Sequence, residues 1–202
     1  MGNVVLDISV SLDGYVAGPN DGIGRGLGDG GESLHYWVFG GEWSYESGPP
    51  IGRPGVDGQV LDEMLASLGA AVVGKRMYDI AGGWGDDPHW GAPCFVLTHT
   101  VRQERVAGET TFTFVTDGIE SAVAQAKAAA GGKDVSIGGG ASVAQQALRA
   151  GLVDQMQLHV APVLLGAGRR LFDRLGPEQV RLERTRVIES PFATHLRFRV
   201  VK

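Results

Sequence analysis

The stretch VSIGGGAS at residues 135–142 decides the fold that we predict for this chain. Its first three residues are typical of a short buried strand, the glycines Gly138–Gly140 predict a turn, and a helix with one apolar face follows. The N–H groups at the start of such a helix carry partial positive charge and bind phosphate. The stretch therefore predicts either a phosphate-binding turn or a tight turn that only needs the conformational freedom of glycine.

Two familiar nucleotide motifs are absent from this stretch. The G-x-G-x-x-G fingerprint would need glycine at position 143, where the chain has Val143. A Walker A motif would need Gly-Lys followed by Ser or Thr, and no such triplet follows the glycines. A nucleotide bound here would therefore be bound by a different fold.

Composition narrows the class of protein. The 202 residues predict a single domain, residues 1–202, with enough chain for a core. The net charge of −5, with acids and bases mixed along the chain, argues against nucleic acid as a partner. The only cysteine, Cys94, lies in an apolar run, and we interpret it as a buried thiol. We find neither a leader nor an apolar run long enough to span a membrane, which predicts a cytoplasmic protein without a membrane partner.

Strands and helices alternate through the first three quarters of the chain, and strands follow. This order predicts an α/β protein with a mostly parallel central sheet and antiparallel C-terminal strands. We predict strands at residues 4–10, 70–74, 93–98, 111–116, 135–137, 155–160, 180–188 and 194–201. Within 155–160 the alternation turns Met156, Leu158 and Val160 inward, and in the last strand His195 lies on the face opposite Leu196.

Polar and glycine-rich segments follow several of these strands. The carboxyl ends of parallel strands lie at one edge of a sheet, which is where ligands bind. Four segments reach this edge: Asp13, Lys75–Arg76, Thr98–His99 and Gly138–Ser142. The two basic residues at a helix start either bind an anion or are solvated. Together with an anion-binding turn they predict a phosphorylated cofactor.

Two other segments each admit two interpretations. The seven glycines from Gly18 to Gly31 predict an irregular loop, either a linker or a lid, and we favour a lid. The aromatic residues of 34–43 form either a short packed helix or a wall for a flat ring, in which Trp37 would contact substrate. Asp57 is placed to cap the N-terminus of the next helix.

Motifs in this order resemble the dihydrofolate-reductase-like superfamily, and most closely the reductase domain of bacterial riboflavin biosynthesis. They are SLDGYVA (Ser11–Ala17), VGKRMY (Val73–Tyr78), VLTHT (Val96–Thr100), the glycine turn within 136–143, and LVDQMQLHVAPVLLGAGRRLF (Leu152–Phe172). The resemblance covers nearly the whole chain and is weakest in 18–58. It implies a three-layer α/β/α dihydrofolate-reductase-like fold, NADPH as cofactor, hydride transfer to a C=N or C=O group of a small heterocyclic or sugar-like substrate, and a homodimer.

The resemblance also implies roles for individual residues. The cofactor would be bound by Val16, Ala17, Gly74, Lys75, Arg76, Met77, Thr98, His99, Gly138, Gly139, Gly140, Ala141 and Ser142. We expect substrate to contact Trp37, Tyr78, Leu165 and Gly166. His99 with Arg102 would favour NADPH over NADH, because a 2′-phosphate needs cationic donors. Asp13 is the candidate catalytic residue: it either bonds to its own turn or, with a raised pKa, orients substrate or water and gives a proton.

Departures from the family limit the expected chemistry. Dihydrofolate reductases hold a pterin with an early carboxylate, and the corresponding stretch here, LHYWVF at 34–39, has Tyr36 in place of an acid. We therefore do not expect dihydrofolate as substrate. The chain has no zinc-deaminase motif, and its histidines lack metal-ligand spacing, so we expect no metal. The alternatives to a reductase are a dimer that binds NADPH without turnover and a flavin-binding protein.

Overall fold

The computed structural model describes residues 2–48, 55–88 and 90–202. Its strands are β1 (Val4–Ser11), β2 (Tyr15–Ala17), β3 (Leu68–Gly74), β4 (Cys94–Leu97), β5 (Arg105–Ala107), β6 (Thr110–Val115), β7 (Asp134–Gly139), β8 (Gln155–Ala161), β9 (Arg169–Arg170), β10 (Arg181–Glu189) and β11 (Thr194–Val201). Its helices are α1 (Tyr36–Phe39), α2 (Gly55–Ser67), α3 (Lys75–Ile80), α4 (Ile119–Ala129) and α5 (Ala141–Arg149), with 3-10 turns at Gly31–His35 and Gly82–Trp84. None of the helices within these ranges is long and apolar enough to cross a membrane.

The central sheet is mostly parallel. Across the described ranges its strands lie in the order β10-β11-β8-β1-β7-β3-β4-β6-β5. The run from β8 to β6 is parallel, whereas β5 pairs antiparallel with β6, and β11 pairs antiparallel with both β8 and β10. This confirms the predicted α/β fold with its antiparallel C-terminal hairpin. It also puts the carboxyl ends of β1, β3, β4 and β7 at one edge of the sheet.

Strand β3 shows that both faces of the sheet are covered. Ala70 and Val72 pack into one core cluster with α4 and α5, whereas Ala71 and Val73 pack into a second cluster with Tyr78 of α3. Successive side chains of a strand point to opposite faces. The sheet therefore lies between two helical layers, as the resemblance implied.

Strand β8 departs from the predicted alternation. Met156 and Leu158 are buried as expected, but His159 is only 1% exposed, Gln157 is also buried, and Val160 is only partly buried. The cause is that both faces of β8 are covered, because Met156 and Leu158 pack into the main core and the Trp37 ring stacks on His159 on the other face. An alternating pattern predicts a half-exposed strand, and here the polar face is buried as well.

Helix α2 begins earlier than the sequence pattern predicts. It starts at Gly55, so Asp57 lies inside the first turn, and the predicted N-cap is wrong. Asp57 is 5% exposed, and its carboxylate accepts a hydrogen bond from His195 Nε2 at 2.8 Å. A tertiary partner thus uses the side chain that would otherwise bond to the local backbone.

A two-stranded ribbon joins the first loop to the loop after β8. Tyr15 and Ala17 of β2 pair with Arg170 and Arg169 of β9. Gly168 precedes this pair with φ of +128°, and a Cβ atom there would collide with the carbonyl oxygen of Ala17, so only glycine fits. The ribbon therefore holds the segment 162–171 beside the carboxyl end of β1.

Candidate functional site

Two of the predicted segments meet where β3 and β7 end. Val73 of β3 pairs with Gly139 of β7. A Cβ atom on Gly139 would lie 3.1 Å from the Met77 sulfur, and one on Gly74 would lie 3.1 Å from Val143 Cγ2. The glycine turn and the start of α3 are therefore in direct contact. We call the segments Gly74–Met77 and Gly138–Ser142, with the neighbouring Asp13 and Thr98–His99, the site edge.

The glycine turn has the form of an anion-binding helix start. Strand β7 continues through Gly139, the peptide bond between Gly139 and Gly140 is cis, and Gly140 is the N-cap of α5. Within the described residues no side chain caps this helix, and the exposed Ser142 accepts a hydrogen bond from Gln146 instead. The first N–H groups of α5 are thus available to a negatively charged oxygen.

A carboxylate of the glycine-rich loop binds two arginines beside the site edge. Asp21 lies 3.0 Å from Arg76 Nη2 and 2.7 Å from Arg169 Nε. Burial raises the pKa of Asp21, but the hydrogen bonds from Arg169 and Arg76 outweigh it and lower the pKa below its usual value. The loop that we interpret as a lid is therefore bound to α3 and β9 in this structure.

A second carboxylate binds the other two cations of this region. Asp79 of α3 pairs with Lys75 one turn earlier and lies 3.5 Å from Arg102 Nη1. Asp21 and Asp79 together thus face four cations. With the ionised Asp13 included, the four cations outnumber the carboxylates of this region by one, so the surroundings of the site edge still attract an anion. Both cations predicted at the start of α3 nevertheless have protein partners.

The residues predicted beside the adenosine lie at the end of β4. Thr98 is 5% exposed, and its Oγ1 accepts a hydrogen bond from the Thr100 N–H at 3.1 Å. His99 is exposed at the adjacent position. The guanidinium of Arg102 lies 5.7 Å from the centre of the Phe114 ring. These positions suit a group that approaches the sheet from outside, and their role stays a prediction.

Asp13 binds a distant segment of the chain. Its Oδ1 accepts from the Leu165 N–H at 3.1 Å, its Oδ2 accepts from the Gly166 N–H at 2.7 Å, and Ser11 Oγ donates to Oδ1 at 2.6 Å. The Ser11 hydrogen bond is the main cause that lowers the pKa of Asp13 to about 2, and the two backbone N–H groups add to it. The raised pKa expected of a proton donor is therefore not found. Asp13 instead positions residues 165–166, both predicted on the substrate side.

Val16 and Ala17, which we predict to approach the nicotinamide, both belong to β2 of the β2–β9 ribbon. Ala17 is 6% exposed and pairs with Arg169, and Val16 packs partly buried against the main core. The backbone of β2 thus runs between Asp13 and the glycine-rich loop. This position is compatible with the predicted approach of a ring, which stays a prediction.

Two residues predicted to contact substrate are part of the core. Trp37 is 3% exposed, stacks on the His159 ring at a centroid distance of 4.0 Å, and donates its Nε1 proton to Ser9 Oγ at 2.9 Å. Tyr78 is 8% exposed and packs against Phe112 with ring centroids 5.2 Å apart. Neither ring is open to a ligand in this structure. The packed-helix interpretation of 34–43 therefore fits better than the wall.

Asp21 and Arg169 are the residues at this site that sequence reasoning missed. Asp21 is one of two acids in the glycine-rich loop, and Arg169 belongs to a loop of apolar and glycine residues. Nothing local distinguishes either residue, because their pairing joins positions that are 148 residues apart. The basic pair at 169–170 was the only available signal.

A large crevice opens at the opposite edge of the sheet. Its volume is about 370 Å³, and its lining includes Asn3, Arg199 and the ion pair between Asp154 and Lys202. It lies at the amino end of β1, and it shares no residue with the site edge. The candidate site is thus defined by the convergence of its segments and by charge rather than by a deep cavity.

Known proteins share this fold. The model of the RibD C-terminal domain matches residues 3–194. The chain belongs to this family. The uncharacterized protein YyaP of Bacillus subtilis (strain 168) is 25% identical over 177 residues, which is 84% of this chain and 79% of that protein.

Solved structures of similar fold cover the whole chain. A Shewanella sp. PV-4 protein provisionally named for riboflavin biosynthesis is 20% identical, with a TM-score of 0.72 and complete coverage of both chains. The Thermotoga maritima diaminohydroxyphosphoribosylaminopyrimidine deaminase/5-amino-6-(5-phosphoribosylamino)uracil reductase is 15% identical, with a TM-score of 0.59. That match covers 99% of this chain and 57% of the Thermotoga chain. At these identities the likeness shows the fold.

We expect the substitution Gly139→Ala to destabilise the protein by about 1–3 kcal/mol, because it puts a side chain at a φ normally reserved for glycine. The φ of Gly139 is +126°, and the new Cβ would lie 3.1 Å from the Met77 sulfur. Urea denaturation measures the change. The matched control is Gly138→Ala, whose Cβ would have its nearest neighbours at 3.9 Å. Equal losses in the two variants would show that the close approach at Gly139 is unimportant.

The anchoring by Asp13 predicts a pH dependence of stability. The pKa of Asp13 is lowered from 3.8 to about 2 in the folded protein, so its contribution is present above pH 4 and is lost as the pH falls through 2. The stability difference between the wild type and Asp13→Asn should therefore be constant near neutrality and shrink between about pH 4 and pH 2. Thermal unfolding over this range tests it. The control is Asp117→Asn, an exposed carboxylate that accepts a hydrogen bond from the adjacent Thr116; a similar shrinkage there would contradict the assignment.

Proposed function

We propose that this protein is an NADPH-dependent reductase that transfers hydride to a C=N or C=O group of a small heterocyclic or sugar-like substrate. The observation that carries the proposal is the contact between the uncapped glycine turn of α5 and the start of α3, beside four cations that share two carboxylates. Membership of the family supports it, because NADPH-dependent reduction in riboflavin biosynthesis is the activity of the family in general.

The residues of the site edge fit a dinucleotide phosphate. The N–H groups at Gly140–Ser142 would hold the pyrophosphate, and the absence of a side chain at Gly140, where a Cβ atom would have no neighbour within 4 Å, leaves room for its oxygens. His99 and Arg102 would contact a 2′-phosphate, and Val16–Ala17 would approach the nicotinamide. When bound, NADPH supplies the hydride.

The protein's own contribution is mainly positioning. Asp13 holds the N–H groups of Leu165 and Gly166 through its two carboxylate oxygens. This fixes the loop after β8 against the end of β1, where a substrate would lie beside the nicotinamide. Because Asp13 is ionised at neutral pH, its role is to orient this loop rather than to give a proton.

Binding of the cofactor would change the partners of the cations. Arg76 and Arg169 are bound to Asp21, and Lys75 is bound to Asp79. An incoming phosphate would share these cations or displace Asp21, which belongs to the glycine-rich loop. The loop would then move with cofactor binding, which supports its interpretation as a lid.

The second candidate is a dimer that binds NADPH or flavin without turnover. The low pKa of Asp13 favours it, because this residue was the predicted proton donor. Oxidation of bound NADPH by carbonyl and imine substrates distinguishes the two candidates.

Titration of the protein with NADPH, followed by tryptophan fluorescence, tests the proposed function. We expect saturable binding at micromolar concentration and oxidation of NADPH with at least one heterocyclic or sugar-like substrate. Binding without oxidation across a broad panel would favour the second candidate. No binding of NADPH, NADH or flavin up to millimolar concentration would overturn both.

We predict that Arg102→Ala weakens NADPH binding about 10-fold to 100-fold and changes NADH binding little. The reason is the loss of a charge-assisted hydrogen bond to the 2′-phosphate, worth about 1.5–3 kcal/mol. Parallel titrations with the two nucleotides measure the ratio. The control is Arg181→Ala, an exposed arginine of the edge strand β10. Equal losses for NADPH and NADH would place Arg102 outside the 2′-phosphate site.

The homodimer implied by the resemblance stays a proposal, and β10 supports it. This nine-residue strand is the outer edge of the sheet, and most of it is exposed, including Leu182 and Val187. An open edge with exposed apolar side chains is a ready surface for a second copy of the chain. Sedimentation velocity should give the mass of two chains, and a single-chain mass at all concentrations would exclude the dimer.

A further inference from the structure

Four buried side chains form a continuous line of hydrogen bonds that crosses three strands and reaches α2. Asp7 Oδ1 lies 2.9 Å from His159 Nε2, the Nδ1 atoms of His159 and His195 are 2.6 Å apart, and His195 Nε2 lies 2.8 Å from Asp57 Oδ1. We call these four residues the buried chain. Its members are at most 9% exposed, and the Trp37 ring stacks on His159.

The three hydrogen bonds of the buried chain need three protons. A carboxylate can only accept, so each Nε2 must carry a proton for its aspartate. Two neutral imidazoles have then used both of their protons. Their Nδ1 atoms would face each other at 2.6 Å with lone pairs alone, which is repulsive. One more proton between the two Nδ1 atoms turns this repulsion into a hydrogen bond.

The charge balance favours one extra proton. Without the extra proton the buried chain carries two negative charges in the protein interior, whereas with the extra proton it carries only one. Burial and the neighbouring His159 lower the pKa of His195 below its usual value, and the hydrogen bond to Asp57 offsets them only in part. The pair therefore resists a second extra proton, because that would put two imidazolium ions in contact.

Other charged and titratable groups also face the buried chain. Burial, together with the nearby His159, lowers the pKa of His35 to about 4, so this ring is neutral at pH 7. Arg186 and Arg197 border a small cavity beside His195, and Arg186 is paired with Glu63 of α2. No group of three His, Cys, Asp or Glu side chains in the described ranges could hold a metal ion. The geometry thus accommodates a proton as its cation.

We propose that the buried chain is a proton-operated lock that fastens α2 to the sheet. Asp57 belongs to α2, and the other three members belong to β1, β8 and β11. Loss of the shared proton as the pH rises makes the two Nδ1 atoms repel each other and weakens the link through Asp57. Because α2 runs directly into β3, the lock acts on an element that leads to the site edge. The proposal stands independently of the proposed function.

Nuclear magnetic resonance of the intact protein, with ¹⁵N-labelled histidine, tests the lock. At neutral pH we expect one far-downfield proton that shows scalar coupling to the Nδ1 atoms of both His159 and His195. Asp57→Asn keeps an acceptor for His195 and removes a negative charge. It should therefore lower the pH at which this proton is lost by about 1–3 units. The control is Glu120→Gln, an exposed carboxylate of α4 in the helical layer on the other face of the sheet, which should leave that pH unchanged.

Hydrogen exchange supplies a second readout of the lock. Above the pH at which the shared proton is lost, amides of α2 should lose protection relative to those of β7, after correction for the intrinsic pH dependence of exchange. Asp7→Asn, at the other end of the buried chain, should also lower the pH at which the shared proton is lost. This variant replaces Asp57→Asn in the test if Asp57→Asn does not fold. Two unprotonated Nδ1 atoms at neutral pH would overturn the proposal. An equal effect of Glu120→Gln and the two asparagine variants would also overturn it.

Discussion

The close approach of β7 to α3 at Gly139 is the constraint on which the candidate site depends. A side chain at this position would meet the Met77 sulfur, and the backbone has a φ of +126°. Only because both requirements are met by glycine can the strand run against β3 and turn into α5 with its first N–H groups exposed. The same contact brings the start of α3, which carries Lys75 and Arg76, against the start of α5, so one backbone feature joins both halves of an anion site.

The cations at the site edge are paired with carboxylates of the protein and would also bind a phosphorylated ligand. Asp21 and Asp79 each bind two cations, which keeps the arginine and lysine side chains ordered without a ligand. The excess of positive charge remains. A dinucleotide would therefore meet cations that are already positioned, but it would have to compete with a carboxylate of the glycine-rich loop. Because the dinucleotide and Asp21 would compete for the same arginines, binding of the dinucleotide would affect the glycine-rich loop.

The side of the sheet formed by β8 and β11 is organised by buried polar groups rather than by glycines. Trp37 covers His159, and Asp57 reaches across from α2 to His195. Local patterns predicted Trp37 in a wall for a ligand and Asp57 as a helix cap. They also predicted alternating strands at 155–160 and 194–201. The tertiary structure uses them together instead, because Trp37 and Asp57 both contact the polar face of β8 and β11 that carries His159 and His195. Local patterns cannot report which polar groups will meet once the sheet forms.

What the sequence by itself determined is the succession of strands and helices, the glycine turn at 138–140 and the family motifs around Asp13, Lys75 and Leu165. These depend on residues close together in the chain, since periodicity and turn preferences act over a few positions. Only the tertiary structure decided that Trp37 and Tyr78 belong to the core, that Asp13 anchors Gly166, and that Asp21 binds Arg169. Such pairings join residues that can be more than 100 positions apart. They arise from the stacking order of the strands, which no local preference encodes.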